Sequence, residues 1–189
     1  MVHDFIQQSP HSESGFYLDN QQELFDLLTI LEQRGQKTLL IGVSFALLDF
    51  AERFQMNLKH TIVMETGGMK GRRKELIRVE LHNRLKEGFG TTRIHSEYRM
   101  TELFSQAYSK GDGLFECPNW MKVFVRNTEN PLEVNSKGSG GLNIIDLANY
   151  NSCAFLATQD LGTVLESGVF TVNGRFDHSD VRGCNLMVN

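Results

Sequence analysis

The sequence predicts an α/β fold in which a mostly parallel sheet with flanking helices is followed by a smaller, mainly antiparallel β subdomain. Up to about residue 110, short apolar runs of strand length alternate with amphipathic helical stretches. Past Gly111, glycine and asparagine become frequent, and brief β-like runs follow one another without long helical patterns between them. Strands joined by helices of this length favour parallel pairing in a sheet covered on both faces. The expected organisation is an irregular segment over 1–19, an α/β part over 20–110 and a β subdomain over 111–189.

The elements follow from local pattern. Leu24, Leu27, Leu28 and Leu31 recur at helical spacing, behind a capping box of Asn20 with Glu23, and Gly35 supplies a stop. Thr38–Val43 is a short apolar strand. Ser44 is placed to cap a helix whose core face includes Phe45, Leu48 and Phe54. Thr61–Met64 reads as a second buried strand, ended by the Gly67-Gly68 turn. A helix over Arg72–Glu87 carries Ile77, Leu81 and Leu85 on one stripe, with Glu80 ahead of Arg84 at a favourable spacing. A strand near Arg93–His95 follows. Later strands are expected at Met121–Val125, Leu142–Asp146, Ala154–Thr158 and Val169–Val172, with Asn135–Gly141 as a turn or flexible loop.

Composition narrows the function classes. The chain has 189 residues, a net charge of −4 and no basic footprint of the kind a general nucleic-acid binder carries. Cys117, Cys153 and Cys184 are odd in number and widely spaced, so neither a disulfide framework nor a zinc knuckle is implied. Cys153 lies in an apolar run and reads as core. The N-terminus lacks the basic and apolar regions of a secretory signal, and no apolar run is long enough to span a bilayer. A cytoplasmic protein is the expectation.

Several polar clusters stand out, each with a plain alternative. The loop Glu65–Arg72 (ETGGMKGR) joins a buried strand to a helix start, where free N–H groups and Arg72, Arg73 and Lys74 suit an anion. Taken alone the loop reads first as a tight turn with a solvated basic face, since neither the Walker nor the dinucleotide pattern is present. Thr101 and Glu102, close behind Tyr98, offer hydroxyl and carboxylate oxygens of the kind Mg²⁺ prefers. They also suit an ordinary helix start. Asp160 and Arg175 can grip ribose and phosphate, or can be a turn aspartate and a surface arginine. His178 and Cys184 make a poor metal pair. No serine sits in a nucleophile elbow.

The order and wording of the segments ETGGMKGRRKEL, SEYRMTELFSQAYS, GLNIIDLAN, ATQDLG and GRFDHSDVRGCNLM resemble the LuxE-type acyl-protein synthetases. These belong to the adenylate-forming superfamily, with the acyl-CoA and phenylacetate–CoA ligases. The resemblance runs from about Ser12 to the C-terminus and implies the rear part of the large domain. It implies ATP-dependent activation of a fatty or other carboxylic acid to an acyl-adenylate, with ATP and Mg²⁺ as cofactors, then transfer to the thiol of a protein or of CoA.

Position by position, the resemblance implies that Gly67, Gly68 and Met69 lie along adenine, a role that replaces the anion-loop reading, and that Tyr98 stands beside the base. Thr101 would touch the α-phosphate and Glu102 bind Mg²⁺. Asp160 would hold the ribose hydroxyls, Arg175 would lie near ribose and phosphate, and Asp177 would be the hinge. Three departures go with it. Arg99 stands where the family has glycine, no Ser/Thr/Gly-rich phosphate loop precedes this region, and Asn189 falls short of a C-terminal lid. The implied state is a fragment, with a complementary N-terminal piece as a partner, or else a non-catalytic nucleotide- or partner-binding module built on the same fold.

Overall fold

The computed structural model describes residues 2–67 and 76–176. Gly68, Met69, Arg72, Arg73, Lys74, Asp177, His178 and Cys184 lie outside the described residues. A short helix, α1 (Val2–Gln8), buries none of its residues.

The α/β part comprises α2 (Gln21–Gln33), β1 (Thr38–Val43), α3 (Ser44–Arg53), β2 (Thr61–Thr66), α4 (Arg78–Phe89) and β3 (His95–Tyr98). The three strands are parallel and adjacent in chain order. Leu28, Leu48, Phe50, Leu81, Leu85 and Phe89 from the three helices bury one core with Val63 of the sheet. Strands added successively in one direction by right-handed crossovers carry α3 and α4 on the same face. Among the described residues the other face stays open: the cross-strand partners Leu39 and Ile62 are each 48% exposed. The expectation of cover on both faces is therefore corrected.

Local chemistry differs from expectation at both helix starts. The Asn20 side chain does not cap α2; its amide bonds the Glu23 carboxylate at 2.9 Å. Ser44 is the first residue of α3 rather than its cap, because its hydroxyl turns to β2. The described helix α4 begins at Arg78, and Ile77 is exposed, whereas Leu81 and Leu85 are buried. The Arg84–Glu80 pair forms at 2.6 Å.

The sheet continues through β4 (Ala107–Ser109), β5 (Phe115–Glu116), β6 (Met121–Arg126), β7 (Val134–Asn135), β8 (Gly138–Asp146), β9 (Phe155–Val164) and β10 (Phe170–Arg175). In space the order is β1-β2-β3-β4-β5-β10-β9-β8-β6-β7, one ten-stranded sheet that is antiparallel from β3 onward. Phe115, Phe170, Leu142, Ile144 and Val123 centre a second core.

Two strands are longer than their apolar runs suggest. Gly140 and Gly141, expected in a loop, lie within β8. A Cβ on Gly140 would come 2.3 Å from the Arg126 carbonyl oxygen, and one on Gly141 2.7 Å from the guanidinium carbon. That arginine crosses the sheet to the Leu142 and Thr158 carbonyls and the Asn143 amide. The glycines make room for it. Strand β9 runs past Thr158 to Val164 and takes in Gln159, Asp160 and Leu161. Cys153 is exposed rather than core.

Candidate functional site

Parallel strands put their ligand sites outside their carboxyl ends, and Gly67 and Tyr98 lie at that edge. Strand β2 ends beside β3, with Thr66 opposite Glu97. Gly67 follows at φ +74, a left-handed turn conformation in which only glycine avoids Cβ strain. Its carbonyl accepts a hydrogen bond from the Ser44 hydroxyl at 2.7 Å. Tyr98 is the last residue of β3.

The structure joins three of the predicted residues directly. The Tyr98 hydroxyl donates to Asp160 Oδ2 at 2.6 Å, across 62 positions of sequence. Arg175 Nε stands 3.5 Å from Asp160 Oδ1, and the two residues are register partners on β10 and β9. Asp160 is 2% exposed and sits within a strand, so it is not a turn aspartate. Arg175 is largely covered, so it is not a plain surface residue. The Tyr98 ring packs edge-on to Phe170 and Phe115, with centroids at 5.4 and 5.9 Å. Both carboxylate oxygens of Asp160 have protein partners, and each keeps acceptor capacity for a further donor.

Thr101 and Glu102 are exposed and lie on a turn, not at a helix start. The main chain of this turn is held from below by residues that sequence reasoning did not single out. Buried Asp146 accepts at Oδ2 from the Phe104 and Ser105 N–H groups, at 2.9 and 2.8 Å, and at Oδ1 from the Ser105 hydroxyl at 2.6 Å. Burial works to raise the Asp146 pKa, but these donors and the Ala148 N–H outweigh it and hold the carboxyl below its ordinary value. Asn149 Nδ2 donates to the Glu102 carbonyl at 2.8 Å and to the Cys153 carbonyl at 2.9 Å. Arg99 is exposed.

A second buried polar centre lies behind Gly67. Glu65, 3% exposed, accepts from Arg78 Nη1 at 2.9 Å and from the Ser44 hydroxyl at 2.7 Å, with His82 Nε2 at 3.5 Å. Burial pushes its pKa upward, and the His82, Arg78, Ser96 and Ser44 partners bring it below the ordinary value. The Ser44 hydroxyl thus shares one proton between the carboxylate and the Gly67 carbonyl. Arg78 also lies over the Phe115 ring at 5.0 Å, which links this centre to the aromatic surroundings of Tyr98. The sequence pattern places Glu65 at the start of the loop after a strand ending at Met64, whereas it lies within β2.

No protein-family model matches the chain, and no curated protein matches it. Solved structures do. ATP-bound MatB from Rhodopseudomonas palustris superposes with a TM-score of 0.59 at 16% identity, covering 82% of this chain and 33% of that one. Coronafacic acid ligase from Pectobacterium brasiliense gives 0.55 at 17% identity, over 82% and 32% of the two chains. O-succinylbenzoate coenzyme A synthetase from Bacillus subtilis, in complex with AMP, gives 0.52 at 18%, over 82% and 42%. The fold matches part of the fold of these ligases, the adenylate-forming fold. At these identities the likeness concerns fold alone, and the chain spans about a third of the length of MatB and coronafacic acid ligase.

Proposed function

We propose that this chain is the adenosine-holding part of an ATP-dependent acid–thiol ligase of the acyl-protein synthetase kind. In this reading the whole enzyme activates a fatty or other carboxylic acid in the cytoplasm and passes the acyl group to a protein or CoA thiol. The observation that supports it best is the Tyr98–Asp160–Arg175 cluster at the carboxyl edge of a sheet with the adenylate-forming fold.

The chemistry asks for what these residues offer. A carboxylate oxygen attacks the α-phosphorus, pyrophosphate leaves, and a thiolate then displaces AMP at the acyl carbon. Asp160 and Arg175 hold ribose and phosphate in place, since misplacement by an ångström costs orders of magnitude in rate. Tyr98, with the loop that includes Gly67, Gly68 and Met69, flanks the base. Thr101 donates to the α-phosphate. Mg²⁺ usually keeps several waters and takes one or two carboxylates plus phosphate oxygens, so the lone Glu102 carboxylate on its pinned turn fits that ion. When bound, the ion supplies charge that screens the meeting anions. Asp177 is assigned the hinge role.

ATP–pyrophosphate exchange over a panel of fatty acids tests the reading. The chain should bind Mg·ATP but complete no exchange alone, because loss of a single transition-state donor costs about 10²–10³ in rate. Addition of the complementary N-terminal polypeptide should restore exchange. Failure to bind ATP would refute the reading. Vigorous exchange by the chain alone would refute its fragment status. Binding without exchange even when complemented would favour the second reading, a nucleotide-binding module.

A further inference from the structure

The chain reaches Glu102 from two directions. Sequence continuity brings it there from β3, and the fold brings the end of β8 beneath it. Asp146 and Asn149 both lie at that end and both are buried, at 0% and 3% exposure. Their side chains leave their own element. Asp146 also closes the short 3-10 turn Leu147–Asn149 through the Ala148 N–H at 3.1 Å, and that bond alone would satisfy a local cap. Its three other hydrogen bonds go to Phe104 and Ser105, more than forty positions back. The Ser105 hydroxyl that donates to Asp146 also accepts from Trp120 Nε1 at 2.9 Å. The Ser152 hydroxyl donates to Asn149 Oδ1 and so orients the amide whose Nδ2 holds the Glu102 carbonyl.

Main-chain groups of three residues, Glu102, Phe104 and Ser105, are therefore fixed by buried side chains, while the Thr101 and Glu102 side chains stay exposed. A loop built only for solubility needs no such hold, whereas a loop that presents a ligand group does, because catalytic and binding geometry tolerates about half an ångström of play.

We propose that Asp146 and Asn149 are positioning residues that hold the Thr101–Glu102 turn in the shape in which the Glu102 carboxylate meets the Mg²⁺ of a bound nucleoside triphosphate. The proposal rests on the reading of Glu102 given above. Asn149 acts through the Glu102 carbonyl and Asp146 through the following two amides. Neither touches the nucleotide.

Calorimetric titration of the full chain with ATP, in Mg²⁺ and in EDTA, tests it. Asn149→Ala should leave the EDTA affinity within about twofold of wild type and cut the Mg²⁺-dependent gain roughly tenfold, the scale seen when a ligand's supporting partner is removed. Ser152→Ala, a change at an exposed position, should cut the same gain by less, and it serves as the readout if Asn149→Ala does not fold. In a Glu102→Gln background either substitution should remove no further Mg²⁺-dependent affinity, since residues acting through one group are not additive. Equal losses with and without Mg²⁺, or no loss in either, would overturn the positioning role. A wild-type chain that gains nothing from Mg²⁺ would overturn the Glu102 reading and this inference with it.

Discussion

Tyr98→Phe removes one oxygen atom from the centre of the candidate site and leaves the ring contacts with Phe115 and Phe170 in place. The lost hydroxyl donates at 2.6 Å to Asp160, and both residues are buried, at 6% and 2% exposure. Hydrogen bonds to charged groups are worth about 1.5–3 kcal/mol, so the folding equilibrium should fall by that amount. For a domain of this size each kcal/mol shifts Tm by roughly 2–4 °C, which gives a drop of about 3–12 °C. Urea unfolding read by the fluorescence of Trp120, the single tryptophan, measures the free energy directly. Tyr108→Phe is the internal comparison, because its hydroxyl reaches Glu97 at 3.4 Å, a longer and weaker bond, and it should cost clearly less. A loss below about 0.5 kcal/mol for Tyr98→Phe, the range of ordinary surface changes, would refute the claim that this bond ties β3 to β9.

Asp146 and Glu65 both have carboxyls held below their ordinary values of 3.8 and 4.5, so each contributes stability above its unfolded pKa that is lost as pH falls through the lower folded one. Acid titration of the unfolding midpoint should therefore decline below about pH 4.5, and Glu65→Gln should flatten part of that slope; an unchanged slope would argue against an ionised Glu65. Burial pushes the Cys117 thiol up to about 11, while Cys153 is exposed, so iodoacetamide at pH 8 followed by peptide mass spectrometry should label Cys153 well before Cys117. Arg99→Gly should leave Tm nearly unchanged, because Arg99 is exposed; a large fall would mean the side chain is a paired structural group and would end the comparison with the family glycine.

The parallel half was legible because its strands are continuous apolar runs and its helices carry one stripe, patterns that local chemistry repeats reliably. Its open face was not, since a pattern of residues says that a strand is apolar but not which face a crossover leaves bare. In the β half, strand existence was readable and strand length was not. The glycines at 140 and 141 look like loop residues until Arg126 is seen against them, its backbone carbonyl at Gly140 and its guanidinium at Gly141. The site divides in the same way. Tyr98, Asp160 and Arg175 were found through segment wording, and the structure adds the contacts between them. Asp146 and Asn149 carried no individual signal, because their partners lie more than forty residues away and only folding brings them together.

The backbone ladder that unites the sheet is thinnest between β5 and β10, where the register rests on one residue pair, Phe115 opposite Phe170. Tension applied across the molecule meets its least backbone resistance at that rung. What resists is side chain: the stacked Phe115 and Phe170 rings, the Tyr98 ring edge-on to Phe170, and the Tyr98 hydroxyl reaching Asp160 on the far side. A molecule gripping Tyr98 and Asp160 together would add a strap over the same joint, so occupancy of the site and mechanical cohesion of the sheet should rise and fall together.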